Sequence, residues 1–76
     1  MIVYSKTVCP FCVQAKSLLK SKGIEFTEIN IEEDMIGREF LLEEGLRSVP
    51  QIYDGETYIG GFDKLQTWLQ LKEQTL

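Results

Sequence analysis

Thr7-Val8-Cys9-Pro10-Phe11-Cys12 holds both cysteines of the chain, and how it is read decides the fold. A short apolar run precedes it and a helical pattern follows. Cysteines at i and i+3 across the first turn of a helix bring their Cα atoms within the roughly 4.4–6.8 Å that a disulfide needs. The pair can therefore open and close without refolding the chain. Pro10 suits the first helical position, where φ near about −65° is wanted and no N–H is missed. Cys9 is then the cap and Cys12 lies inside the helix. This makes the two sulfurs unequal. Cys9 sits at the positive end of the helix dipole with Lys6 upstream, and both favour thiolate over thiol. Cys12, deeper and less solvated, stays protonated longer.

A structural staple is the first alternative, but closing a four-residue loop contributes only about 2 kcal/mol, near the bottom of the usual range. Structural zinc takes four Cys or His ligands, and this chain has two Cys and no His. A metal site shared between two chains stays open. A C-x-x-C in a βαβ context reads as thiol–disulfide chemistry, which is the reading the residues favour.

Working outward, 76 residues with 43% hydrophobic and 26% charged side chains describe one small domain, residues 1–76. A net charge of −4, with eight scattered Lys and Arg, argues against nucleic-acid binding. No charged segment followed by an apolar one opens the chain, and its apolar runs are far short of a membrane span. The expectation is a cytoplasmic protein with no membrane partner. In a reducing compartment a lone cysteine pair is catalytic rather than structural.

Ile2 to Tyr4 is a short buried strand, Ser5 to Val8 the loop that delivers Cys9, and Phe11 to Lys22 a helix with Phe11, Ala15, Leu18 and Leu19 on its apolar side. Gly23 ends it. Ile24 to Ile31 is expected as an alternating strand with one solvated face, parallel to the first through a right-handed crossover. Glu32-Glu33-Asp34 supplies negative charge and a cap for a second helix carrying Met35, Ile36, Phe40, Leu41 and Leu42, ended by Gly45. Gly37 within it costs about 1 kcal/mol relative to Ala. The Glu cluster reads as a solvated face and helix start rather than a metal site. Pro50 to Tyr53 is a strand that Asp54-Gly55 turns back into Thr57 to Ile59. Gly60-Gly61 breaks that strand, and Asp63 caps a last helix with Leu65, Trp68 and Leu69 on one face. The order βαβαββα gives an α/β fold, a mixed four-stranded sheet with three helices packed on it. Taken singly, Pro50 reads as a strand start, Gly60-Gly61 as a turn, and Lys6 and Arg47 as solvated cations.

Three motifs then coincide: Cys9-Pro10-Phe11-Cys12 opening a helix, Ser48-Val49-Pro50 before a strand, and Gly60-Gly61-Phe62-Asp63 before the last helix. In this order and spacing they make the chain resemble a dithiol glutaredoxin, a small member of the thioredoxin fold, over nearly its whole length. It departs from the family's usual pattern with Phe11 for Tyr, Ser48 for Thr and Lys64 for a second acid. The first two changes are mild; the third reverses a charge at the glutathione site.

The resemblance implies Cys9 and Cys12 as catalytic residues, Lys6 as the group tuning Cys9, and no metal. It implies a cis Pro50, with the Val49 backbone pairing strand-like with substrate. Gly60 and Gly61 would let a ligand approach, and the N–H groups of Phe62 and Asp63 would hold a carboxylate at the helix N-terminus. Arg47 and Lys6 would pair with the other carboxylate of glutathione. The implied binding set is Phe11, Arg47, Ser48, Val49, Pro50, Gly61, Phe62 and Asp63, with Arg38 left out. Glutathione would be the reducing co-substrate, with no cofactor bound permanently. The implied partners are disulfide-containing proteins, ribonucleotide reductase among them, and the chain is expected to act as a monomer. Two alternatives accompany this. One is a glutaredoxin-like electron donor reduced by thioredoxin reductase. The other is an iron–sulfur carrier, in which two chains bridge a cluster through Cys9 and two glutathiones. Pro10 disfavours the carrier by analogy, since cluster-binding relatives tend to have a smaller residue there.

Overall fold

Val3 and Tyr4 are neighbours in strand β1 (Ile2–Ser5), yet they feed two different cores, and this alternation organises the molecule. β1 pairs in parallel with β2 (Thr27–Asn30) and antiparallel with β3 (Gln51–Asp54). β4 (Thr57–Gly60) pairs antiparallel with β3, giving the order β2-β1-β3-β4. The helices are α1 (Pro10–Ser21), α2 (Met35–Glu43) and α3 (Phe62–Gln74). The computed structural model describes residues 1–74; Thr75 and Leu76, which the expected domain includes, lie outside the described residues. The element order and the mixed four-stranded sheet are those expected. Among the described residues no helix is long and apolar enough to cross a membrane.

On one face of the sheet Val3 and Ile52 pack with Ala15 and Leu19 of α1 and Leu65 and Leu69 of α3, all buried. Trp68 is half-buried against this cluster, as its spacing implied. On the other face Tyr4 and Tyr53 meet Leu41 of α2. Rings of Tyr4, Phe40 and Tyr53 lie with centroids 5.4–5.8 Å apart, inside the range where aromatic pairs attract.

Four expectations change. The strand read over Ile24 to Ile31 contracts to Thr27–Asn30. Its apolar residues shift phase: Ile24 and Phe26 pack against the Val3 core, whereas Ile29 and Ile31 pack against the Tyr4 core. A regular strand places residues two apart on one face, so no single strand satisfies both sets. β1 also offers only the four residues that Thr27–Asn30 pair with.

α2 buries less than its composition suggests. Gly37 and Leu41 are buried and Phe40 half-buried on one stripe, while Met35, Ile36 and Leu42 project into solvent. Gly37 is there because the helix lies close to the sheet: a Cβ added to it would sit 2.6 Å from Cγ2 of Ile29. Asp34 caps this helix, its carboxylate accepting from the Gly37 N–H at 3.0 Å.

Asp63 stands in the first turn of α3 rather than capping it, and the Gly61 carbonyl accepts the Leu65 N–H at 3.0 Å. Gly60 closes β4 opposite Ile52 instead of breaking the strand, with φ at +125°. An L side chain rarely adopts that conformation.

Candidate active site

Cys9 is the N-cap of α1, with extended φ −155° and ψ 96°, and Pro10 follows at the first helical position. The Cys12 N–H donates to Sγ of Cys9 at 3.1 Å, and the Val13 N–H donates to the Cys9 carbonyl at 3.1 Å. The Cα atoms of Cys9 and Cys12 are 5.2 Å apart and the sulfurs are joined as a disulfide. Cys12 is 1% exposed, and Cys9 is half-buried. A thiol arriving from solvent therefore meets Cys9 first. Once the bridge opens, the Cys12 N–H and the helix dipole are already placed to stabilise a Cys9 thiolate.

The loop before Cys9 is held by a residue that sequence reasoning assigned to a solvated face. Oε1 of Glu32 accepts the Thr7 backbone N–H at 2.7 Å, and the Asn30 side-chain amide donates to Oγ1 of Thr7 at 3.2 Å. The bond from the Thr7 backbone, then that from its side chain, and the nearby Lys6 charge hold the Glu32 carboxyl below its ordinary range. Asn30 Oδ1 in turn accepts the Glu32 N–H at 2.9 Å, a local Asx turn that Asn-x-Glu could have signalled. The link across 25 positions to Thr7 has no sequence signature. At the base of the same loop, Oε2 of Glu28 accepts from both Lys16 Nζ and Ser5 Oγ at 2.7 Å. Lys16 first, then Ser5, lowers the Glu28 carboxyl and ties the end of β1 to α1.

A cavity of about 390 Å³ gathers residues from three parts of the chain. Phe11 comes from α1, Ser48, Val49 and Pro50 from the loop before β3, and Gly61, Phe62 and Asp63 from the start of α3. The Val49–Pro50 bond is cis. The rings of Phe11 and Phe62 lie 6.1 Å apart between centroids, and Phe11 is 57% exposed.

Two further lining residues, Gln51 and Tyr58, were not picked out from the sequence, and Lys64, which the resemblance put at the glutathione site, lines the same cavity. Gln51, 5% exposed, donates through Nε2 to the Ser48 carbonyl at 3.0 Å and to Ser48 Oγ at 3.2 Å. It accepts from the Tyr58 hydroxyl at 2.6 Å. Gln51 thus braces the turn that carries Val49 and Pro50. A polar residue inside an apolar strand was the available signal, since a buried amide must find partners. The Lys64 stem lies across Gly60, where an added Cβ would come within 2.8 Å of Lys64 Cγ.

Lys6 and Arg47 do not join this cavity. They line a second one, of about 350 Å³, together with Arg38. Ser48 belongs to both linings, so the expected binding set is split across two adjoining cavities. Lys6 and Arg47 lie beyond the turn that Gln51 braces, a separation that one-dimensional spacing cannot express.

The glutaredoxin family model matches residues 1–59. The chain belongs to the glutaredoxin family. It is 39% identical over 66 residues to the glutaredoxin of Pseudomonas aeruginosa, covering 86% of this chain and 79% of that protein. To glutaredoxin 3 of Escherichia coli K12 it is 42% identical over 64 residues, covering 83% of this chain and 77% of that one. Among solved structures it is similar to a buckwheat glutaredoxin–glutathione complex, with TM-score 0.78 and 29% identity. That match covers 91% of this chain and 66% of the buckwheat chain. Membership makes the chain a thiol–disulfide oxidoreductase of thioredoxin fold with a redox-active cysteine pair.

Proposed function

We propose that the chain reduces protein disulfides and glutathione mixed disulfides through Cys9-Pro10-Phe11-Cys12, with glutathione as the electron donor. The observation that carries this is the cavity in which Phe11, the Ser48–Pro50 turn and the start of α3 converge. Two helix N-termini open beside it, one capped by the reactive sulfur and one presenting the N–H groups of Phe62 and Asp63. The first favours a thiolate and the second a carboxylate, the two charges that such a reaction brings together.

In the reduced protein the Cys9 thiolate attacks one sulfur of the substrate disulfide. That S–S bond breaks, and the departing thiolate takes a proton from solvent. From the resulting protein mixed disulfide, Cys12 loses its proton and attacks Sγ of Cys9. Reduced substrate leaves as a thiol and the Cys9–Cys12 bridge closes. One glutathione thiolate then opens the bridge at Cys9, and a second removes the first as glutathione disulfide, returning two electrons. On a glutathione mixed disulfide Cys9 alone suffices. Val49 offers its backbone to the substrate strand, Lys6 tunes Cys9, and Phe11 and Phe62 flank the bound thiol compound. In this reading the protein works as a monomeric single domain, residues 1–76, in the reducing cytoplasm. Its partners are disulfide-bearing proteins, and family resemblance points to ribonucleotide reductase among them.

The test is turnover of one small mixed-disulfide substrate, coupled in parallel to glutathione with glutathione reductase and to thioredoxin reductase. Turnover is expected with the glutathione system. Turnover with thioredoxin reductase alone would overturn glutathione as the donor.

A further inference from the structure

Tyr58, Gln51 and Ser48 form a hydrogen-bonded chain that ends on the turn before β3. The Tyr58 hydroxyl donates to Gln51 Oε1 at 2.6 Å, and Gln51 Nε2 donates to the Ser48 carbonyl at 3.0 Å and to Ser48 Oγ at 3.2 Å. A bulge in the sheet makes the chain possible. One step along β3, from Ile52 to Tyr53, spans two along β4, from Gly60 to Tyr58. In unbroken register Tyr58 would stand opposite Asp54, on the other face of the sheet. With the bulge it stands opposite Tyr53 and diagonal to Gln51, within reach of its amide. The Tyr58 ring packs on Tyr53 with centroids 5.1 Å apart, so the ring is held independently of its hydroxyl.

The turn has few other restraints. Among the described residues no backbone–backbone hydrogen bond involves Ser48 or Val49. The direction of the Val49 N–H and carbonyl is therefore set by the turn on which they stand. Gln51, paired with Tyr4 in the middle of the sheet, is a rigid base for that turn. Strand-like pairing exchanges two hydrogen bonds with one residue of the partner, so both groups must be aligned at once. We propose that Gln51 and Tyr58 are positioning residues of the exchange reaction: the bonds from Tyr58 through Gln51 to Ser48 aim the Val49 backbone at the backbone that flanks a substrate's cysteine. This rests on the reading that Val49 pairs with substrate, and it names the groups that aim Val49. Their loss is selective. Disulfides flanked by peptide groups react more slowly, and disulfides without them do not.

The experiment uses reduced full-length protein in a single turnover, so neither glutathione nor a reductase takes part. Three thiols are each presented as a mixed disulfide with thionitrobenzoate, whose release is followed by absorbance. They are acetyl-Gly-Cys-Gly-amide, the same peptide with the cysteine nitrogen methylated, and 2-mercaptoethanol, which has no peptide groups. Cys9 attacks the sulfur of each thiol and expels thionitrobenzoate, the better leaving group; Cys12 then closes the bridge and frees the thiol. In the wild type N-methylation removes one donor and slows the peptide about 2- to 10-fold, the loss of one ordinary hydrogen bond. Tyr58→Phe lowers the ratio of peptide to mercaptoethanol rates by about 2- to 10-fold, and Gln51→Met, which removes the whole brace, by about 5- to 100-fold. The ratio cancels any change in the Cys9 thiolate or in the folded fraction. Added to Gln51→Met, Tyr58→Phe lowers the ratio no further, because the hydroxyl acts through the amide. Equal wild-type rates for the two peptides overturn the pairing of Val49 with substrate, and this proposal with it. N-methylation that slows the wild type while both single variants keep its ratio overturns the positioning role alone. A further fall in the double variant overturns it too, by making Tyr58 a direct contact of the substrate.

Discussion

Gly37→Ala is expected to destabilise the protein, although helix propensity alone favours it. Replacing glycine by alanine in a helix interior contributes up to about 1 kcal/mol, and near the start of α2 that figure is an upper bound. The structure opposes this with a contact. The new Cβ would lie 2.6 Å from Ile29 Cγ2 and 3.6 Å from Tyr4 Cε1, on the side where α2 rests on the sheet. The methyl at 2.6 Å belongs to a β-branched side chain packed against the Tyr4, Leu41 and Tyr53 cluster, so it cannot swing aside as a lysine stem would. Overpacking of this kind costs about 1–3 kcal/mol. Packing therefore wins, with a net loss of about 1 kcal/mol and a melting temperature lower by about 4–8 °C for a domain of this size. Thermal and urea unfolding followed by circular dichroism measure it. Ile29→Ala removes the opposing methyl, so the double variant should lose less stability than the sum of the single ones, with a coupling of about 0.5 kcal/mol or more. A higher melting temperature for Gly37→Ala, or strict additivity with Ile29→Ala, would refute the reasoning.

Three other outcomes are expected. Cys9→Ser abolishes exchange on every substrate, while Cys12→Ser keeps activity on glutathione mixed disulfides and loses most protein-disulfide reduction; equal losses on the glutathione substrate would contradict the cap-and-interior arrangement. Glu28 and Glu32 titrate below their ordinary value of 4.5, so they stabilise the fold above that pH and lose this contribution as pH falls through their depressed values. Melting temperature should accordingly drop below about pH 4.5 in the wild type and less steeply in Glu28→Gln and Glu32→Gln; parallel acid limbs would count against both bonds. Lys64→Asp, at the wall of the Phe11 cavity, should lower the glutathione concentration for half-maximal turnover by up to about tenfold at low salt, less at high salt. An unchanged or higher requirement would make Lys64 a bystander.

What was legible in the sequence follows the range of the interactions involved. Cys9-Pro10 starting a helix, Asp34 capping the next one and Gly23 and Gly45 ending their helices at positive φ are local events written in a few adjacent residues. The phase shift between Phe26 and Ile29 was equally present in the sequence. It marks the point where the chain changes cores, and reading across it lengthened β2. Glu32 was illegible in a different sense. Its own neighbours, Glu33 and Asp34, made it look like a solvated charge, while its function comes from Thr7, which the parallel pairing of β1 and β2 brings alongside. The separation of Lys6 and Arg47 from Phe62 and Asp63 likewise depends on where Ser48 stands between two cavities.

The sheet in which Val3 and Ile52 face one core while Tyr4 and Tyr53 face the other has a consequence for how this chain can vary in length. A residue inserted into or deleted from β1 or β3 would exchange the side chains bound for the two cores, because pleat parity flips at every step. β1 runs directly into the loop that delivers Cys9, and β3 begins at the residue after Pro50. The same slip would therefore rotate the nucleophile and the substrate-facing turn away from each other. Insertions that the fold can absorb are confined to exposed turns that leave the pleat, such as Lys22-Gly23 after α1, while β1 and β3 can change in composition but not in count.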